Sequence, residues 1–261
     1  MEENDDVEVV VISCVAAHER RASMAAHLAQ RLRRVRWRFQ AAATLDTHPK
    51  FAGCDARAAW PRAAEQLCAL SHLQAVAAAA LGGTRFTVVL EDDARLHRDF
   101  EAEVLRLAAE AWPQGAHAVQ LGWVPTEAPS AYAARATATA PFLRHSVLGL
   151  QAYMLRRDAL RGVRAFPLLL GAKCGGMTAA RLVDALAYYA PHCAIAPCDF
   201  VADKFVPRVL GDVVALWPPL AIESGAESTL GHANETQFWA NFWAYMATQG
   251  DATYTRTQFT C

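Results

Sequence analysis

Residues 86–93 read Phe86-Thr87-Val88-Val89-Leu90-Glu91-Asp92-Asp93. The run Phe86–Leu90 is β-branched and aromatic, the composition of a buried strand. It ends in three consecutive carboxylates. Acids at the end of a buried strand repel one another, and desolvating each is costly. A bound divalent cation removes that penalty. Hard cations such as Mg²⁺ or Mn²⁺ take oxygen ligands and keep positions open for phosphate oxygens. Alternation along a strand sets Glu91 and Asp93 on one face and Asp92 on the other, if the extended geometry continues through the triplet. The competing reading is a polar loop whose acids cap the next helix.

The flanking sequence alternates between strand and helix patterns. Val7–Val15 is a continuous apolar run, expected as a buried strand. Glu19–Arg33 carries Met24, Leu28 and Leu32 at helical spacing, and Trp37–Ala42 is a second short strand. Thr44–Pro61 reads as a loop. Arg62–Leu81 is Ala- and Leu-rich and helical, ended by Gly82-Gly83. After the acidic triplet, Asp99–Ala111 is a helix that Asp99 is placed to cap, and Ala116–Leu121 is a strand closed by Gly122. Pro125–Pro141 is irregular. Val147–Leu155 is strand-like, Asp158–Arg164 a short helix, Leu168–Gly176 apolar then glycine-rich, Thr178–Tyr189 a helix, and Ala194–Asp199 a short strand ending in an acid. Val213–Leu216 precedes Pro218-Pro219, and Asn234–Thr248 is an aromatic-rich helix. This order predicts an α/β fold with a parallel sheet whose second half is mixed. No repeat, low-complexity tract or interdomain linker is evident.

The totals narrow the function. At 261 residues the chain suits one large α/β domain or two small ones, and its 54% hydrophobic content is ample for a core. Lys+Arg 25 against Asp+Glu 26 leaves a formal charge of −1, with no nucleic-acid footprint. The basic run Arg31, Arg33, Arg34, Arg36 and Arg38 reads as a solvated helix end and exposed strand face, with a patch for peripheral membrane contact or phosphate attraction as the other reading. Seven cysteines are scattered without a Cys-x-x-Cys, so they are expected to be mostly buried thiols in a reducing compartment. The acidic N-terminus is unlike a signal peptide. No apolar run is long enough for a transmembrane helix. A cytoplasmic location is the resulting expectation.

Several short motifs fall in a definite order: Val9–Ser13 followed by Glu19-Arg20-Arg21; Cys68-Ala69-Leu70-Ser71-His72-Leu73; Val88-Val89-Leu90-Glu91-Asp92-Asp93; Val119-Gln120-Leu121-Gly122-Trp123; Gly149-Leu150-Gln151-Ala152-Tyr153-Met154-Leu155; and Ala196-Pro197-Cys198-Asp199. This order resembles glycosyltransferase family 25, which includes lipooligosaccharide galactosyltransferases and collagen β-galactosyltransferases. The resemblance covers about residues 7–232. Its most specific part is the Cys68–Leu73 hexapeptide followed by Leu90-Glu91-Asp92-Asp93. Where that family has an Asn-Leu-(Asp)-Arg-Arg stretch after the first strand, this chain has Ser13-Cys14-Val15-Ala16-Ala17-His18-Glu19 before Arg20-Arg21. Residues 167–176 have no counterpart, and the C-terminal residues lie outside the resemblance.

The resemblance implies a GT-A fold, a Rossmann-like mixed sheet flanked by helices, over residues 7–232; outside it, residues 233–261 are read from their own pattern as a C-terminal helix and tail packed on the same domain. It implies transfer of a hexose, galactose or glucose, from a UDP-sugar to a hydroxyl of a glycan, lipid-linked or protein acceptor, assisted by Mn²⁺ or Mg²⁺ and with inversion. Asp93 would ligate the metal together with Glu91, and Glu91 or Asp92 would orient the ribose or a metal-bound water. Ser13, Arg20, Arg21, His72 and Gln151 are the further donor-binding candidates. For Ser71-His72 the alternative is a helix-end pair packing on the sheet, for Arg20 and Arg21 a solvated helix face, and for Gln151 a half-buried strand. An inverting transfer needs a base distinct from the metal ligands. Asp199 is the candidate, its alternative being an N-cap for Phe200–Val206, and Asp184 and Asp203 are weaker candidates. The rival functions are a catalytically inactive GT-A-like binding module and a metal-dependent phosphohydrolase.

Overall fold

A computed structural model of the chain describes residues 4–49, 63–124, 128–136, 141–143, 148–163, 202–223, 235–248 and 256–259. The expected mixed α/β sheet flanked by helices is present. Its elements are β1 (Val7–Ser13), α1 (His18–Arg31), β2 (Arg36–Ala41), α2 (Ala63–Leu81), β3 (Phe86–Glu91), β4 (Ala94–Leu96) and α3 (Phe100–Arg106), which runs on as a wider turn over Leu107–Ala111. There follow β5 (Ala118–Val124), α4 (Pro129–Arg135), β6 (Phe142–Leu143), β7 (Leu148–Arg156), α5 (Arg157–Leu160), α6 (Ala202–Leu210), β8 (Val213–Leu216), β9 (Ala221–Glu223) and α7 (Glu235–Thr248).

Seven of these strands run in the order β2-β1-β3-β7-β5-β8-β6, with β9 joining β5 and β4 beside it. The first three are parallel. The sheet turns mixed at β7, which is antiparallel to both β3 and β5. One register row runs Arg38–Val10–Val89–Tyr153–Gln120–Ala215 across six strands.

Alternation divides the side chains between two cores. Val89, Tyr153 and Leu155 pack with Leu67, Leu70, Leu73 and Val76 of α2 and Val206 and Leu210 of α6. Val88, Leu90 and Met154 pack on the opposite face with Met24 and Leu28 of α1 and Phe100, Val104 and Leu107 beyond β4. Burying each such Val, Leu or Phe side chain contributes about 1.5–3 kcal/mol. Helix α2 is buried nearly all round, and its alanines (Ala69, Ala75, Ala77, Ala79 and Ala80 are each at most 2% exposed) allow it to lie flat on the sheet.

The connections place a crevice at one end of this sheet. From β1 the chain crosses by α1 to β2 on one side, then returns by α2 to β3 on the other. Helices α1 and α2 therefore cover opposite faces. The order of strand addition reverses at β1, with β2 on one side and β3 on the other, and the crevice outside the carboxyl ends of strands at such a point is where open α/β sheets bind ligands.

Some local expectations are corrected. Gly122 does not close its strand. β5 continues through it to Val124, and a Cβ there would meet Ala221 at 2.9 Å, so glycine admits β9. Within Pro125–Pro141, residues Pro129–Arg135 form α4, begun by a proline in the first turn where its missing N–H costs nothing. Asp99 stands at the N-terminus of α3 but makes no side-chain cap bond; its carboxylate lies against Arg98 and His97. The segments Leu168–Gly176, Thr178–Tyr189 and Ala194–Asp199 lie outside the described residues. Among the described residues, no helix is long and apolar enough to cross a membrane.

Candidate active site at the end of β3

The crevice collects the acidic triplet. The pairing Ile12↔Glu91 brings Ser13, the last residue of β1, level with Asp92. Ser13 Oγ donates to Asp92 Oδ2 at 2.6 Å, and Arg20 Nη2 lies 2.6 Å from Asp92 Oδ1. The Asp92 side chain is only 5% exposed. Both of its oxygens are thus engaged from the α1 side, which makes Asp92 a fixed, neutralised acid that anchors the β1–α1 turn. The turn is closed by Ala17 N donating to the Cys14 carbonyl, and it delivers the first turn of α1, with Arg20, to the acid.

Glu91 turns the other way, toward α2. Its Oε1 lies 3.1 Å from His72 Nε2, and His72 Nδ1 lies 3.0 Å from the Tyr153 hydroxyl. The partners of Glu91 and Asp92 thus separate, but the extended geometry ends at Glu91 and Asp92-Asp93 form a turn, so alternation does not continue through the triplet. An ionised Glu91 accepts from His72 Nε2–H, which leaves Nδ1 to accept from Tyr153 O–H. His72 and Tyr153 are each 1% exposed, whereas the Glu91 side chain is 30% exposed and faces the opening.

Asp93 is the acid without an assigned counter-charge. Its Oδ1 is buried with no hydrogen-bond partner among the described residues. Burial, reinforced by the charges of Glu91 and Asp92, pushes its pKa up to about 7, against the opposing pull of Arg20. An acid in this state stabilises an added cation.

The neighbouring residues complete the wall. The pairing Leu90↔Ala152 sets Gln151 level with Glu91. Gln151 is 5% exposed and its Oε1 lacks a partner among the described residues. Gly149 has φ +88°, and the space its side chain would need is filled by the Gln151 amide. Gly149 N donates to Asp203 Oδ2 at 3.3 Å. Asp203, in the first turn of α6, therefore belongs to this end of the sheet. Cys68 stands one turn before His72 on α2. Burial pushes its thiol well above its ordinary pKa, followed by the charges of Glu91, Asp203, Asp93 and Glu65.

The remaining candidates divide. Ser71 and His72 are in mid-helix rather than at a helix end. Ser71 accepts from Ala43 N at 2.8 Å and donates to the Leu67 carbonyl, tying down the chain after β2. Arg21 lies over the Phe39 ring, 4.2 Å from its centroid, rather than over the acids. Asp199 and Asp184 lie outside the described residues. Cys68 and Asp203 are the members that motif reading underrates. The i, i+4 spacing of Cys68 and His72 was the available signal for the first, and nothing local marks the second.

The donor set suits a divalent cation. Asp93 offers a buried oxygen that has no partner among the described residues, Glu91 a partly exposed carboxylate, and Asp92 is already paired with Arg20. Oxygen ligands of this kind fit Mn²⁺ or Mg²⁺.

No protein-family model matches the chain, and a search of curated proteins gives no match. Among solved structures, the chain is similar to the crystal structure of a glycosyltransferase involved in the glycosylation of the major capsid of PBCV-1. The identity is 8%, the match covers 85% of this chain and 94% of that chain, and the TM-score is 0.42.

Proposed function

We propose that the chain is a glycosyltransferase that moves a hexose, galactose or glucose, from a UDP-sugar to a hydroxyl on a glycan, lipid-linked or protein acceptor. The observation that carries this reading is the placement of three acids at the carboxyl end of β3, beside the reversal of strand order, with Asp93 Oδ1 buried and without a partner among the described residues. The ordered motifs from Val9 to Asp199, with their resemblance to glycosyltransferase family 25, supply the sugar-transfer part.

Asp93 and Glu91 would hold Mn²⁺ or Mg²⁺. When bound, the cation neutralises charge on the departing nucleoside diphosphate. The protein groups do the rest. Arg20 and Ser13 fix Asp92, which keeps the β1–α1 turn against the crevice. Arg20 is 29% exposed and so still presents part of its guanidinium to a phosphate. His72, held by Tyr153, orients Glu91. Gln151, level with Glu91, offers its amide to the sugar or the ribose. Asp199 is the proposed base for the acceptor hydroxyl in an inverting transfer.

The test is product analysis with UDP-galactose and UDP-glucose, Mn²⁺ and a panel of hydroxyl acceptors. Sugar on the acceptor together with free UDP supports the reading. Release of inorganic phosphate instead would mark a metal-dependent phosphohydrolase, and binding without turnover an inactive module. ADP or GDP competing as well as UDP would remove the uridine assignment.

A further inference from the structure

One cluster at the crevice contains a ligand that a Mn²⁺ or Mg²⁺ site does not call for. Cys68 Sγ, a ring nitrogen of His72 and a Glu91 carboxylate oxygen all lie within 4.8 Å of one another. We propose that Cys68, His72 and Glu91 form a coordination site for a thiophilic divalent cation of the zinc class.

The geometry comes from two rigid elements. Cys68 and His72 are separated by four positions on α2, so they project from one face of the helix, one turn apart. Glu91 is the last residue of β3, and β1 and β7 flank that strand in the sheet. His72 Nε2 and Glu91 Oε1 are 3.1 Å apart. Two such ligands on a tetrahedral zinc sit roughly 3.4 Å apart, given metal–ligand distances of about 2.0–2.2 Å. The His72–Glu91 pair is therefore close to the spacing of such a site, while Cys68 Sγ, within 4.8 Å of both, has to move inward to bind.

The supporting shell is also in place. Tyr153 O lies 3.0 Å from His72 Nδ1, and the second ring nitrogen of a metal-bound histidine generally has such a partner. On binding, the His72 ring proton resides on Nδ1 and is donated to the Tyr153 oxygen, freeing the Nε2 lone pair for the metal. The Cys68 thiol sheds its proton to solvent. Asp93, whose buried Oδ1 has no hydrogen-bond partner among the described residues, lies close to these ligands in sequence, two positions after Glu91.

Ligand chemistry sets the choice of ion. A thiolate with imidazole and one carboxylate favours zinc-class ions over Mg²⁺ or Mn²⁺. Three protein ligands leave a fourth position, on the side where Glu91 is exposed. The site shares Glu91 with the proposed donor-metal set. Zinc held here withdraws that carboxylate, so Zn²⁺ should oppose Mn²⁺-supported UDP binding. The zinc site itself does not depend on the sugar-transfer reading.

The experiment uses the full chain, reduced with a non-chelating phosphine and stripped of metal. Titration with Co²⁺ should give an intense near-ultraviolet thiolate-to-cobalt charge-transfer band that saturates at one ion per chain. Zn²⁺ should bleach that band. Cys68→Ser should abolish it while the other cysteines remain, and Glu91→Gln should weaken Zn²⁺ binding at least tenfold in competition with a chromophoric chelator. Tyr153→Phe, which leaves the ligands intact, should cost roughly tenfold in Zn²⁺ affinity. A wild-type chain without the band, or a band unchanged in folded Cys68→Ser, overturns the site. UDP binding with Mn²⁺, measured on the same wild-type sample, separates the two proposals: its persistence without a cobalt band discards the zinc site alone.

Discussion

Arg20 reaches from the first turn of α1 to within 2.6 Å of Asp92, a nearly buried acid whose second oxygen accepts from Ser13. This pair lets a buried carboxylate persist beside two others. Removing one partner leaves the other uncompensated, which costs more than the pair is worth. Arg20→Ala should lower unfolding free energy by about 1.5–3 kcal/mol, the range for a hydrogen bond to a charged group. In an Asp92→Asn background the same change should cost much less, since no buried charge remains to strand. Urea unfolding of both single variants and the double variant measures the coupling. Equal losses in the two backgrounds would mean that the contact is incidental.

A second carboxylate is structural. Glu101 Oε1 accepts from the backbone N–H groups of Arg33, Arg34 and Val35 at 2.7, 2.6 and 3.0 Å. It thereby fixes the turn from α1 into β2. Glu101→Ala should cost about 1.5 kcal/mol or more while UDP affinity stays at the wild-type level. Chemical denaturation and calorimetry on the same variant check both halves.

His27 gives the protein a pH dependence. It is 1% exposed, and its Nε2 accepts from Leu96 N at 2.8 Å. Burial, with the charges of Arg95 and Arg31, lowers its pKa from 6.5 to about 4. The folded chain therefore keeps His27 neutral where the unfolded chain protonates it. The contribution is complete above pH 6.5, is lost as pH falls toward about 4, and changes no further below that. The loss across this window is at most about 3 kcal/mol. His27→Gln, which retains an acceptor, should flatten this part of the stability profile, and two parallel profiles would contradict the assignment.

Asp199 should act in turnover rather than in donor binding. Asp199→Asn should reduce kcat by about 100-fold or more, as for loss of a general base, with UDP affinity near wild type. A helix cap would give the reverse, a stability loss of about 1 kcal/mol with turnover kept. Melting temperature and kcat measured on one sample decide between them.

Much of the frame was legible because it is written in local periodicity. The apolar runs at Val7 and Phe86 became adjacent parallel strands, whereas the alternation expected through the acidic triplet stops at Glu91, where the strand gives way to a turn. What escaped is tertiary. Gly122 punctuates a sequence like a strand end, yet it is kept for the approach of Ala221 from a remote strand of three residues. The Ala-rich segment around Tyr132 lacks an amphipathic stripe because its helix is short and seats that one ring against Trp123 and Trp217. The motif around His72 was visible, but its division was not. Ser71 serves the fold while Cys68, His72 and Glu91 converge, and only the docking of α2 on β3 decides which faces which.

The most direct test of the central claim, a nucleotide-sugar site built on a metal held by the β3 acids, is calorimetric titration of UDP into the wild-type chain and Asp93→Asn, each with Mn²⁺ and with a chelator. Asp93→Asn preserves the shape of the side chain and removes the charge that would hold the cation. Wild-type binding should need Mn²⁺, and Asp93→Asn should bind at least tenfold more weakly, equivalent to about 1.4 kcal/mol. UDP binding by the wild-type chain that is unchanged by the chelator would contradict the claim.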